Sequence, residues 1–273
     1  MILDIYMYFV VFVFGLIFGS FANVCIWRLP QELSIISPGS YCPKCENSIP
    51  WYYNVPVLSY IYLKGRCAYC SSPISWRYPM AEFFTGLITL SWFIRFGFTP
   101  AAYLFSIFGI ILIILSFIDA EHFYLPPELT YPLMAAGIFS SWSNPFMQNP
   151  YTGRFVYALI SLAAGGLVII IIRLLGSLVF RKEAMGLGDV KLMMGIAAFT
   201  GLPGIFWTIF AASLFGSVIG ISMRIFSKDP TASEYIPFGP FLAAGAVIYI
   251  LFTDIIYALL SFENGIVVSF LNG

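Results

Sequence analysis

Charge is scarce in this sequence: Asp, Glu, Lys and Arg make up 10% of the 273 residues, against about 25% in a soluble domain. The charge present is balanced, with 13 basic and 13 acidic residues. That excludes both the basic surface of a nucleic-acid binder and an acidic solvating tail. With His122 the single histidine, no zinc centre of the His-Glu-x-x-His kind can form. There is no Gly-x-Ser-x-Gly elbow, and no serine has a context supporting a triad through His122. Internal repeats, low-complexity tracts and coiled-coil heptads are not evident. What the chain has instead is apolar bulk: 60% hydrophobic residues, mean hydropathy +0.91, and 28 Phe, 17 Tyr and 6 Trp. Such rings suit both the lipid interior and its interfaces. The composition implies an all-α polytopic membrane protein in contact with membrane lipid.

A membrane helix needs about 20 apolar residues to cross about 30 Å of hydrocarbon. Residues 5–27 form the first such run, without the basic n-region or Ala-x-Ala site of a cleaved signal. Residues 28–79 are different, carrying four cysteines and most of the polar, tyrosine-rich segments. We expect a small extramembrane domain there, followed by a seven-helix core over 80–273. The expected spans of that core are 80–96, 100–118, 129–142, 155–175, 190–200, 204–223 and 237–260, about eight crossings in all. The fourth and sixth are short in their apolar part and are expected to extend into flanking polar residues.

Basic residues set the orientation. If the cysteine-rich segment is cytoplasmic, that face holds Arg28, Lys44, Lys64, Arg66, Arg77, Arg173, Arg181, Lys182, Lys191, Arg224 and Lys228, leaving Arg95 and Arg154 for the other. Both termini then lie outside. In this orientation the third crossing ends at the cytoplasmic face in Asp119, and the sixth begins there at Asp189, within Gly186-Leu187-Gly188-Asp189. An isolated acid at that depth is often only solvated by headgroups. Asp189 carries more signal, because a helix start favours its ionised form and the flanking glycines let another chain approach closely. If the two carboxyls meet, they share a proton at neutral pH. One would act as general base toward water while the protonated partner polarises a peptide carbonyl and then protonates the leaving amine. Spacing alone leaves open whether they meet. Lys191 either steers the pair's ionisation or extends to the headgroups. His122 reads as an interface residue, Asp254 as paired or reaching outward, and Phe238-Gly239-Pro240 as irregular backbone re-entering near the acids, where it must line a cavity or be buried.

Cys42-x2-Cys45 and Cys67-x2-Cys70 have the spacing of a tetrathiolate zinc site, with disulfides or redox chemistry as alternatives. Four thiolates leave no open coordination position, so the Zn2+ would be structural. A segment of about 50 residues has little core of its own, and a metal supplies the missing constraint. Cys25, inside the first crossing, reads as a small apolar filler.

These motifs, in this order, resemble the bacterial prepilin peptidase (type IV leader peptidase) family of Gly-x-Gly-Asp membrane aspartic proteases. The resemblance runs over nearly the whole chain. It includes Gly19-Ser20-Phe21-Ala22-Asn23-Val24, Arg28-Leu29-Pro30, both cysteine pairs, Asn54-Val55-Pro56-Val57-Leu58-Ser59-Tyr60, Arg77-Tyr78-Pro79 with Glu82, residues 186–192, and Pro237-Phe238-Gly239-Pro240. It implies cleavage of leaders from type IV prepilins or pseudopilins of type II secretion at the inner membrane, with Asp119 and Asp189 as the catalytic pair. Gly186, Gly188 and Lys191 would support that loop. It also implies methylation of the new N-terminus with S-adenosylmethionine, an activity associated in relatives with the cysteine domain. Gly19, Asn23 and Arg28 are candidates for that second function, with helix packing as the plainer role. Glu82 either binds the substrate amine or pairs with Arg77. One departure is Leu125-Pro126-Pro127-Glu128, where the family often has Leu-Pro-Asp, so no role falls on an acid in that loop. The competing classes are a membrane ion transporter, which would carry an inverted repeat, and a non-enzymatic zinc-ribbon scaffold.

Overall fold

The computed structural model describes residues 2–181, 185–226 and 236–264; Lys182 and Lys228 of the charge bias lie outside them. The described residues are helical, with no strand beyond two isolated bridges. The helices are α1 (Ile2–Arg28), the short α2 (Leu58–Tyr62), α3 (Arg77–Phe96), α4 (Pro100–His122), α5 (Pro127–Ser140), α6 (Arg154–Phe180), α7 (Leu187–Phe226) and α8 (Gly239–Asn264). Five of these, α1, α4, α6, α7 and α8, are long and apolar enough to cross a membrane. Of the other expected crossings, α3 has 20 residues and carries Arg77, Glu82 and Arg95. The helix α5 does not extend into its polar flanks as expected: it has 14 residues, about 21 Å at 1.5 Å per residue.

The long α7 is two limbs. At Gly201 the backbone turns to φ 72° and ψ −179°, a conformation that a side chain would strain. The backbone groups freed at the break need partners: Asn144 Nδ2 donates to the Phe199 carbonyl at 2.8 Å, and Leu202 N–H donates to the Tyr157 hydroxyl at 3.3 Å. Beyond the turn, Gly204 faces Tyr249 and Gly216 faces Phe241 on α8. The second limb therefore runs back toward the end at which α7 began.

Close helix packing sets the rest. Gly15, Gly19 and Asn23, four residues apart on α1, meet Gly86, Glu82 and the Tyr78 carbonyl on antiparallel α3. A Cβ on Gly19 would stand 2.5 Å from the Glu82 Cα, so only a small residue lets the two backbones approach there. The main core gathers Trp92, Phe105, Phe108 and Phe199 with Leu112, Leu115 and Leu192. Cys25 is buried among Ala22, Ile26, Ala81, Ile114 and Ile118, as a small apolar filler would be. At the end of the bundle away from Asp119 and Asp189, Arg95 pairs with Asp254, and Arg154 donates to the Trp142 carbonyl.

Candidate active site

Asp119 lies in the last turn of α4, which is closed by Phe123 in the left-handed region, its N–H donating to the Asp119 carbonyl at 2.9 Å. Six residues on, Leu125 is buried against Gly188, where a Cβ would meet the Leu125 Cβ at 3.0 Å. The Leu-Pro step after α4 thus docks directly on the residue preceding Asp189. The space left by Gly188 is filled by Leu125 and is not free for a substrate chain. Gly186 is open, and its N–H donates to Asp189 Oδ2 at 3.1 Å.

Asp119 is held in the same way from the other side. Its Oδ2 accepts the N–H of Gly239, the first residue of α8, at 2.9 Å. A Cβ at Gly239 would come within 2.7 Å of that oxygen, so the contact requires glycine. Gly239 belongs to the stretch expected to re-enter near the acids, and its N–H contact with Asp119 is the part that residue type leaves unmarked. Both carboxyls are buried, at 6% and 8% exposure, on helix ends that the Leu125–Gly188 contact holds together. Two acids 70 positions apart in the chain (119 and 189) are therefore neighbours, each fixed through one oxygen by one backbone N–H.

The flanking charges are occupied. Arg77 pairs with Glu121 rather than with Glu82, tying the start of α3 to the end of α4. Lys191 Nζ sits 4.9 Å over the Tyr131 ring, a cation–π contact that takes it away from the acids. His122 is exposed beside Glu121, and Glu128 is exposed in the first turn of α5.

No repeat is evident in the sequence, yet the cysteine segment folds as two copies of one knuckle, offset by 25 positions. Cys42 and Cys67 each accept an N–H from the residue four on (Glu46, Ser71) and donate to the carbonyl five on (Asn47, Ser72). Bridges Tyr41–Ser48 and Arg66–Pro73 close the two turns. Glu46 and Ser71 occupy the same left-handed position. The four sulfurs lie within 4.8 Å of one another, with Cys42–Cys70 at 3.8 Å and Cys45–Cys67 at 4.0 Å. Four sulfurs placed tetrahedrally at about 2.3 Å from a zinc ion are about 3.8 Å apart, so the residues fit that metal; a disulfide at about 2.05 Å is excluded. Burial pushes the Cys42 thiol up, but the N–H groups of Lys44 and Cys45 and the Ser72 hydroxyl outweigh it and hold the thiol at about 6. At Cys45 the Asn47 N–H pulls downward, while burial and the neighbouring sulfurs carry the thiol up to about 11. A divalent cation resolves such a conflict by stabilising every thiolate at once.

Between the knuckles, the end of α1 and the start of α3 lies a cavity of about 270 Å³. Ser20, Asn23 and Glu82 line its membrane side, and residues of both knuckles form its outer wall. Glu82 Oε2 accepts the Val57 N–H at 2.7 Å. Val57 has φ 61° and ψ −48°, and spans a Pro56 carbonyl to Leu58 N–H bond of 2.6 Å. That is a strained γ-turn for a β-branched residue, and its effect is to aim one N–H at one carboxylate. Arg28 is not free for a ligand: its guanidinium donates to the carbonyls of Ser34, Pro38 and Gly39 at 2.9, 2.7 and 3.1 Å. Nothing in the sequence signalled this structural use of Arg28, or the Val57 partner of Glu82.

Comparison with known proteins gives two family matches: the bacterial peptidase A24 N-terminal domain over residues 13–96, and the type IV leader peptidase family over 106–221. A Myxococcus xanthus protein named prepilin leader peptidase/N-methyltransferase is 39% identical over 218 residues, 78% of this chain but 62% of its own length. Proteins of the same name from Xanthomonas campestris and Aeromonas hydrophila are 32% and 33% identical. They cover 92% and 89% of this chain and 93% and 90% of their own lengths. No solved structure matches.

Proposed function

The chain belongs to the type IV leader peptidase family, an assignment resting on matches over most of its length, and from that premise we propose that it cleaves the leader from type IV prepilins or type II secretion pseudopilins and N-methylates the new terminus. It is an integral protein of the inner membrane. In our reading it crosses eight times, counting α3, α5 and both limbs of α7. The cysteine domain and both acids then face the cytoplasm, and the termini lie outside. The Arg95–Asp254 pair and Arg154 at the opposite end of the bundle support that orientation.

The reading is carried by the juxtaposition of Asp119 and Asp189. A prepilin presents a charged leader followed by a long apolar helix, so its scissile bond lies at the cytoplasmic membrane boundary. A water molecule between the acids gives one proton to the ionised carboxylate, and its oxygen attacks the peptide carbonyl carbon. The protonated carboxyl polarises the carbonyl oxygen. As the C–N bond breaks, the nitrogen takes a proton and leaves as the new amine. The N–H groups of Gly186 and Gly239 keep the carboxyls oriented, so little reorganisation is needed when water is bound.

The four cysteines would hold Zn2+ as a structural ion, and S-adenosylmethionine, when bound, would supply the methyl group. Gly19 sets the α1–α3 approach at Glu82, while Arg28 ties down residues 34–39; both serve the methylating half by position rather than by contact. A mass spectrum of a prepilin incubated with the lipid-reconstituted protein and S-adenosylmethionine tests the reading. The expected product lacks the leader and is heavier than unmodified mature pilin by one methyl group. A prepilin intact after hours would instead favour the scaffold reading.

A further inference from the structure

The cavity beneath the knuckles is separate from the acid pair, and its chemistry is specific. Asn23 is 3% exposed; its Nδ2 donates to the Tyr78 carbonyl at 3.0 Å, which fixes the amide orientation and leaves Oδ1 buried without a partner. Beside it, Glu82 brings a carboxylate that is 9% exposed. The strained Val57 turn and the Gly19 contact hold that carboxylate in place. The rings of Trp27, Tyr41, Tyr53 and Tyr60 join the lining. Arg28 also borders it, with its guanidinium already committed to three carbonyls. A buried acceptor without a donor, a carboxylate and several π faces together suit a ligand that brings hydrogen-bond donors and a positive charge. The volume of about 270 Å³ is near the lower bound of small-molecule pockets, about 300 Å³.

We propose that this cavity seats the sulfonium methyl donor, with Glu82 as its counter-charge and Asn23 Oδ1 accepting one of its N–H or O–H groups. The proposal rests on the N-methyltransferase reading and adds a location and a charge logic to it. It also gives the zinc knuckles a direct use: Cys42, Pro43 and Lys44 of one, and Cys67, Ala68 and Tyr69 of the other, form the outer wall. Loss of the metal would open the pocket. The amine of the cleaved pilin shares the cationic chemistry and is the competing occupant.

The test is equilibrium binding to the full-length, zinc-loaded protein in detergent, using S-adenosylmethionine, neutral S-adenosylhomocysteine and a pilin N-terminal peptide. Glu82→Gln keeps an acceptor for the Val57 N–H and removes only the charge. It should weaken S-adenosylmethionine roughly tenfold or more while changing S-adenosylhomocysteine little, because the lost interaction is with the sulfonium charge. Zinc content and the thermal unfolding profile of the variant should match those of wild-type protein, which controls for folding. An unchanged ratio of the two affinities would overturn the proposal, as would a loss confined to the peptide. If wild-type protein methylates pilin and Glu82→Gln binds both nucleosides normally, the donor sits elsewhere and the methyltransferase reading stands. If wild-type protein neither binds S-adenosylmethionine nor methylates, that reading itself fails.

Discussion

Asp119→Asn and Asp189→Asn should each reduce leader cleavage by about 10³-fold or more while leaving a folded, membrane-inserted protein. Asparagine matches aspartate in shape and keeps a carbonyl oxygen for the Gly239 or Gly186 N–H, so the local geometry survives. What it lacks is a proton to give or a place to accept one. General acid–base catalysis by one positioned group contributes about 10²–10⁴-fold, and two groups sharing one water fail together. The double variant should therefore be scarcely slower than either single one. Methylation of a pilin cleaved beforehand should proceed in both variants, because the cavity is built from α1, α3 and the knuckles. Initial rates on prepilin and on mature pilin, measured side by side, check both halves. Cleavage within tenfold of wild type in either variant would remove the dyad mechanism.

The second large effect concerns the metal. Wild-type protein purified without chelator should carry one zinc ion per chain by elemental analysis. Cys42→Ser, or stripping with a strong chelator, should lose it. Zinc binding supplies about 10–16 kcal/mol to small domains of this kind, and the knuckles are closed mostly by turn hydrogen bonds around the cysteines. Without metal they should loosen, and methyl transfer should fall to background. Cleavage should persist within a few fold, since α4, α7 and α8 carry both acids and the glycine that holds one of them. Protein free of zinc but fully active in methylation would contradict this account.

The all-helical membrane character is legible in the sequence because membrane helices announce themselves by length and hydropathy. The tetrathiolate cluster was equally legible, because cysteine spacing is almost a coordinate. The knuckle repeat is hard to see: beyond the cysteines, the two copies share little more than Ile49 with Ile74 and Trp51 with Trp76 at matching positions. A comparison of backbone turns finds what residue identity hides. The pairing of Asp119 with Asp189 was reachable only through resemblance, since linear order carries no distance, and the Leu125–Gly188 contact that enforces it looks like ordinary apolar sequence. Gly239 was noticed as part of an irregular stretch without its role, because a backbone N–H leaves no mark on residue type. The Arg77–Glu82 pair, one of the two alternatives for that acid, does not form. Glu82 is near Arg77 in sequence, but Glu121 is the partner the α3–α4 packing brings to it.

The convergence of the two acids is most directly tested by replacing both with cysteine and treating the membrane-embedded protein with a short bifunctional thiol reagent. The reagent should join positions 119 and 189 in high yield, read as a linked pair of fragments after proteolysis, and a bound peptide inhibitor of cleavage should slow the reaction. If both cysteines react singly with a monofunctional reagent while no reagent a few ångströms long ever bridges them, the two residues do not share a site and the mechanism is wrong.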